Sequence, residues 1–193
     1  MILRTELGDV SVINEPTYTF GSSDNVRSYP FEKNLDSESS PVSVHGVFLN
    51  EDPIAVFGAN GGASGVHKHS AVFHNGCLYV AVSDSVVCLL LQPFEFKWAL
   101  CIDTATCFGV HFHEPTGSLI SHGELEITRF TESGEIAWQS SGRDIFTGLL
   151  VLGEESVAVT DFNGDQYRFR YSDGRYDVSH LSKVQPALKS LSI

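Results

Sequence analysis

The chain has 193 residues, of which 42% are hydrophobic, 11% aromatic and 19% charged, and its 24 acidic against 12 basic side chains leave a net charge of −12. That length fits one domain with a buried core, and 13 Phe, 6 Tyr and 2 Trp exclude a disordered chain. No basic run is present, so neither nucleic acid nor an anionic membrane surface is expected as a partner, because both require clustered Lys and Arg.

The first nine residues hold Arg4, Glu6 and Asp9 and no apolar stretch of signal-peptide length. The longest unbroken apolar run, Val86 to Leu91, is far short of a membrane span, and a cytoplasmic protein is the expectation. Val10 to Phe20 and Val42 to Leu49 read as strands, with Ser- and Asp-rich loops at Gly21 to Asn25 and Asp36 to Pro41. Ile54 to Phe57 leads into the glycine-rich stretch Gly58-Ala-Asn-Gly-Gly-Ala-Ser-Gly65. From residue 66 onward, short alternating segments separated by turn dipeptides predict a β-meander. Asn75-Gly76 divides Ala71 to Phe73 from Cys77 to Val82, and Asn163-Gly164 divides Val157 to Asp161 from Gln166 to Tyr171. Ser133-Gly134 and Asp173-Gly174 are turns of the same kind. The polar tail Leu181 to Ile193, with Pro186, reads as a short helix or a frayed end. Cys77, Cys88, Cys101 and Cys107 have no Cys-x-x-Cys spacing and read as free thiols.

The turns recur at a fixed interval. Val82-Ser-Asp to Trp98, Ile120-Ser-His to Trp138, and Val159-Thr-Asp to Val178 each open on an apolar residue, run through an apolar strand and close on a second strand. The closing positions are spaced 40 and 40 residues apart and the opening positions 38 and 39, which is the spacing of four-stranded propeller blades. Glu132-Ser-Gly-Glu-Ile-Ala-Trp138 resembles the turn-and-tryptophan signature of quinoprotein-type (pyrroloquinoline-quinone repeat) β-propellers. That resemblance covers about residues 70 to 180 and implies β-sheet architecture. The third copy has Val178 in the tryptophan position, and the first lacks Gly in its Gln92-Pro-Phe-Glu turn. Three copies, with at most one more unit from the N-terminal 65 residues, are too few for a standard closed ring, so no quinone cofactor is carried over.

Histidine placement is the feature most suggestive of chemistry. His67 and His69 lie two apart, with His74 following, while His111, His113 and His122 fall on a predicted hairpin closed by Glu114 to Gly117. In that hairpin His113 pairs with Ser118 and His111 with Ile120. One face is then read as core, with Val110, Phe112, Leu119, Leu125 and Ile127; the other carries His111, His113, His122, Glu124 and Glu126 as a solvated polar face. These are ligand types for a divalent transition metal. Gly61-x5-His67-x-His69 resembles the first half of the cupin metal motif, and Gly109-x5-Pro115-x-Gly117 part of the second. The motif's glutamate is absent, however, and Ile120 stands where its last histidine belongs. The metal candidates are therefore His67, His69, His111, His113 and His122.

Other features read as structural. The glycine stretch has no helix behind it to hold phosphate, and Asp161 to Asp165 has its Gly at the wrong place for a calcium loop. Cys107 reads as a buried strand cysteine in preference to a thiol nucleophile, Trp98 and Trp138 as inter-sheet packing residues, and Arg168, Arg170 and Arg175 as a solvated strand face. Taken together, the residues predict a single all-β domain, an antiparallel β-meander of propeller-blade-like units with divergent strands at 1–65, three repeats at 66–180 and a tail at 181–193. The expected function is a non-enzymatic binding or protein-interaction module, without cofactor, meeting a protein partner or a second copy of itself through open sheet edges. The alternative is a cupin-like metal enzyme.

Overall fold

The computed structural model describes residues 1–36 and 40–180; the reading of the tail at 181–193 lies outside the described residues. Among the described residues seventeen strands form four separate sheets. The first contains β1 (Ile2–Thr5), β2 (Gly8–Asn14), β3 (Phe31–Asn34), β4 (Ser43–Leu49) and β5 (Asp52–Ala59) in the order β1-β2-β4-β5-β3, with β3 parallel to β5 and the other pairs antiparallel. The second is β6 (Ala71–His74), β7 (Cys77–Val82), β8 (Ser85–Leu90) and β9 (Glu95–Cys101). The third is β10 (Cys107–His113), β11 (Ser118–Gly123), β12 (Glu126–Phe130) and β13 (Ile136–Ser141). The fourth is β14 (Val151–Leu152), β15 (Ser156–Thr160), β16 (Asp165–Arg170) and β17 (Tyr176–His180). Each of the last three is an antiparallel meander in chain order, the four-stranded form of a propeller blade. None of the sheets closes on itself.

The sheets stack face to face, and the sequence of each strand follows from how many of its faces are covered. β7 is apolar at every position because it serves two cores. Leu78, Val80 and Val82 meet Val10, Val12, Val47 and Phe57 of the first sheet, while Tyr79 and Ala81 meet Val110, Leu119 and Phe130 of the third. A third core joins Ile120, Ile127 and Trp138 to Val157, Val159, Tyr167 and Phe169 of the fourth sheet. At the end of the stack the strand alternates, with Tyr167 and Phe169 buried and Arg168 and Arg170 exposed on β16. At the other end the expected strand Val10 to Phe20 stops at Asn14, because Pro16 has no N–H for a ladder. The chain turns there, and Tyr18, Phe20 and Tyr29 fold back over Val44 and Val56. Gly46 is required below them, since a Cβ would lie 2.1 Å from the Tyr29 hydroxyl. The buried Glu15 carboxylate accepts from that hydroxyl and, at 3.1 Å, from Arg27 Nη1.

A repeated device joins consecutive blades. The Trp98 indole N–H donates to Glu132 O at 3.2 Å, and that of Trp138 to Tyr171 O at 2.8 Å. In both cases the ring lies against a left-handed glycine 36 residues further on, Gly134 (φ +85°) or Gly174 (φ +69°). Each tryptophan on a blade's outer strand is thus docked beneath the last turn of the next blade.

Candidate functional site

The β10–β11 hairpin has the register expected from its turn: His113 opposite Ser118, His111 opposite Ile120, and Gly109 opposite His122. Residues opposite one another share a face, so His111, His113 and His122 stand with Ile120 and, through the β11–β12 pairing, with Ile127. The reading of this face as solvated is corrected by the structure, because it packs on the fourth sheet, and Ile127 belongs to it and not to the opposite one. Glu126 lies on the other face, two residues before Thr128 and four before Phe130, where its Oε2 accepts from Gln139 Nε2 at 2.7 Å.

Gly109 lets a second segment approach. A Cβ there would sit 2.7 Å from His69 O, and the bare backbone instead allows Val110 N to donate to that carbonyl at 3.0 Å. The segment 67–70 is itself closed by Ser70 N to His67 O and by His67 N to Ser70 Oγ, at 3.0 and 2.9 Å. This closure sets the His69 ring 4.8 Å from that of His111, with His67 6.1 Å from His69, measured between ring centroids. Four of the five histidines singled out in the sequence, His67, His69, His111 and His122, thereby line one cavity of about 530 Å³.

The fifth does not join them. His113 Nδ1 bonds Thr116 Oγ1 at 2.8 Å, and its ring stacks on Tyr171 at 3.9 Å. His74 stacks on Phe112 at 3.6 Å and faces Glu132 at 3.5 Å. Among the described residues, no three His, Cys, Asp or Glu side chains are grouped so as to hold a metal ion.

The remaining walls of the cavity come from Phe108 and from the segment Ile145 to Leu150, with Lys68 and Glu124 supplying charge. The run Leu149-Leu-Val151 was visible in the sequence as an apolar segment, but nothing in its pattern ties it to the histidines; only the stacking of the fourth sheet on the third does so. Within this setting the Nε2 atoms of His111 and His122 are buried and have no hydrogen-bond partner. Burial pushes both imidazoles down to about 4, with the neighbouring histidines acting in the same direction, so both are neutral near pH 7. His69 is lowered as well, by burial first and then by Lys68 and His67.

Groups outside this cavity are committed to structure. The Cys107 thiol is buried and pushed upward by that burial, and Cys88 is pushed up to about 12, so neither offers a thiolate near neutrality. Asp103 is taken up by the backbone N–H groups of Ala105, Leu125 and Glu126 at 2.6, 3.0 and 2.9 Å. The glycine stretch is packing: a Cβ on Gly61 would meet Ala105 O at 2.5 Å, and one on Gly62 would meet Thr106 Oγ1 at 1.9 Å. Asp161 to Asp165 is a hairpin turn in which Asp165 N donates to Asp161 Oδ1 at 2.9 Å.

No protein-family model matches the chain, and no curated protein sequence matches it either. Solved structures do resemble it. The β-propeller domain of Cps50 (Swd1) from Myceliophteria thermophila aligns with TM-score 0.50 and 13% identity over 66% of this chain and 41% of that one. BamB from Moraxella catarrhalis aligns with TM-score 0.49 and 13% identity over 72% and 44%, and a europium-containing methanol dehydrogenase with TM-score 0.48 and 15% identity over 59% and 24%. The chain therefore spans less than half the length of these structures. At such identity likeness bears on the fold alone, and that of the Cps50 β-propeller domain agrees with the blade architecture of the sheets.

Proposed function

We propose that the chain is a non-enzymatic binding module whose ligand enters the cavity between the third and fourth sheets. The observation that carries this reading is the cavity itself: about 530 Å³ with apolar walls and two imidazoles whose buried Nε2 atoms lack partners. Small-molecule sites combine largely apolar linings with a few convergent polar groups in this way. A second reading, a protein partner meeting the rim, rests on Leu149 of the cavity wall, on Val151 two residues further on, and on Phe162, whose N–H donates to Ile145 O; they are 75%, 59% and 71% exposed.

The test is a methyl-detected NMR titration with 2-phenylethanol, a neutral apolar probe. The reading expects saturable shifts confined to Ile145, Leu149 and Leu150, abolished by Leu149→Arg at its exposed position. Shifts that scatter over the surface or never saturate would overturn it.

A further inference from the structure

Resting on the reading of the cavity as a binding site, we infer that its ligand is a compact aromatic or branched aliphatic monocarboxylic acid, with the carboxylate set against His111 and His122 and the apolar body between Phe108, Ile145, Leu149 and Leu150.

The argument begins from the two histidines. They occupy diagonal positions on adjacent strands, His111 opposite Ile120 and His122 opposite Gly109, on one face. Cβ atoms so placed are about 7 Å apart, a distance two imidazoles span when they converge on one small group. No hydrogen bond from either ring to a described residue exists, and the Nε2 atom of each is buried. A fold seldom leaves two adjacent buried polar atoms unpaired without something to complete them. A group that accepts two N–H donors at once satisfies both rings, and a carboxylate does this with its two oxygens.

Charge points the same way. In a chain of net charge −12, this cavity balances Lys68 against the single carboxylate of Glu124 and adds imidazoles that can take up a proton when an anion arrives. An anion entering it gains what it would be denied over most of the surface. The walls then restrict which anion. Phosphate or sulfate would strand most of its oxygens against leucine, isoleucine and phenylalanine, whereas a monocarboxylate presents one polar end and leaves an apolar body for those walls. A wholly apolar molecule would fill the volume but leave the imidazole nitrogens unpaired. A transition metal would require three ligands grouped together, and among the described residues no such group exists.

Binding of this kind is coupled to protons. The carboxylate favours the imidazolium form, so a histidine held neutral in the free protein takes up a proton as the acid anion binds. The experiment is isothermal titration calorimetry with phenylacetate, 2-phenylethanol and Zn²⁺, each run from pH 6 to 8 in two buffers of different ionisation enthalpy. The inference expects one phenylacetate per chain, bound at least about tenfold tighter than 2-phenylethanol at pH 6, weakening by up to about tenfold per pH unit as proton uptake approaches one. In His111→Asn/His122→Asn, checked for native circular dichroism, phenylacetate binding falls at least about tenfold while 2-phenylethanol binding stays within about twofold. Side-chain ¹⁵N resonances of wild-type His111 and His122 give a second readout that needs no variant: phenylacetate moves them towards the imidazolium range by an amount that sums to the proton taken up.

Equal affinity for the two organic probes, or phenylacetate binding without proton uptake, overturns the carboxylate assignment and leaves the cavity as a binding site. Stoichiometric Zn²⁺ binding that excludes phenylacetate overturns it in favour of a metal centre. If neither organic probe binds, the cavity reading fails together with it.

Discussion

Alanine at three left-handed turn glycines separates backbone strain from the docking of one blade on the next. Gly164 (φ +86°) has nothing within 4 Å of an added Cβ, Gly134 (φ +85°) has Trp98 ring atoms at 3.1 Å, and Gly174 (φ +69°) has Trp138 ring atoms at 2.7 Å and Ser140 Oγ at 2.8 Å. The left-handed conformation costs an L-residue about 1–2 kcal/mol wherever it occurs, so Gly164→Ala should lose about 1 kcal/mol. Gly134→Ala adds a contact that the half-exposed Trp98 can relieve by a small shift, for a total of about 2 kcal/mol. Gly174→Ala adds overpacking against a ring only 8% exposed, which brings its loss to about 3 kcal/mol or more. At about 2–4 °C per kcal/mol for a chain of this size, the three should melt in the order Gly174→Ala below Gly134→Ala below Gly164→Ala. Urea midpoints at constant slope give the same ranking. Trp138→Phe removes the clashing atoms, and its loss is bounded because Tyr171 O still accepts from Arg129 Nη1 at 2.6 Å. The double variant Trp138→Phe/Gly174→Ala should therefore lose less than the sum of its parts by about 1 kcal/mol. Equal losses at all three glycines, or strict additivity of the pair, would refute docking as the source of the difference.

Further predictions follow from the buried polar groups. His111 and His122 are held near 4 in the folded chain against an ordinary value of 6.5. The unfolded state thus binds more protons below pH 6.5, and stability falls as pH drops from there towards 4, by roughly 3 kcal/mol for each group if the full shift is realised. Urea midpoints measured from pH 7.5 to 4.5 should show this loss in the wild type and a flatter profile in His111→Asn/His122→Asn; parallel profiles would exclude these residues as its source. Asp103→Ala strands the backbone N–H groups of Ala105, Leu125 and Glu126 and should lower stability by about 2–4 kcal/mol in the same assay; a loss below about 1 kcal/mol would show that water replaces the carboxylate. Glu15→Ala unpairs the buried Tyr29 hydroxyl and should cost about 2 kcal/mol, with Glu15→Gln costing less because its amide oxygen still accepts. Ellman's reagent should modify the exposed Cys101 first and the half-buried Cys77 more slowly, and should reach Cys88 and Cys107 only in denaturant; rapid native reaction of Cys107 would contradict its burial.

Much of the second to fourth sheets was legible because their turns carry their own chemistry. Asn75 and Gly76 have φ of +51° and +75°, the pair of positive angles that Asn-Gly supplies to a two-residue hairpin, and the registers of β6–β7 and β10–β11 follow from such turns. In the first sheet β2 and β4 were read as strands, but β1 and β3 were hidden, for two reasons. β1 and β3 are four residues each, too short for alternation to register, and β3 joins its neighbour in parallel, without a hairpin to announce it. The histidine face was misread because alternation reports which residues share a face, not whether that face is wet. His111 and His122 are polar by type, and only Ile120 and Ile127 beside them, which belong to the same face by register, reveal that it packs against another sheet. Assigning Ile127 to the opposite face concealed that clue.

The departure at Val178 has a physical reason in the direction its side chain faces. Trp98 and Trp138 each require a carbonyl and a left-handed glycine supplied by the blade that follows, Glu132 and Gly134 in one case and Tyr171 and Gly174 in the other. Val178 does not share their orientation: Trp98 and Trp138 face the sheet that follows, whereas Val178 turns back towards the third sheet, where no following blade could supply either partner. The strand pairing places Val178 opposite Tyr167, and its side chain packs into the core shared with the third sheet, a role an aliphatic residue fills without a buried N–H to satisfy. The outer face of that sheet agrees, since β16 exposes Arg168 and Arg170 there, whereas β8 of the second sheet turns Val86 and Cys88 into the core it shares with the third. At the opposite end, Tyr18, Phe20 and Tyr29 cover the apolar residues that another blade would otherwise cover. The stack is thus finished on one side by aromatic capping and on the other by a change of residue type. Between its third and fourth sheets the stack holds an open cavity, and it is there that the unpaired imidazoles lie.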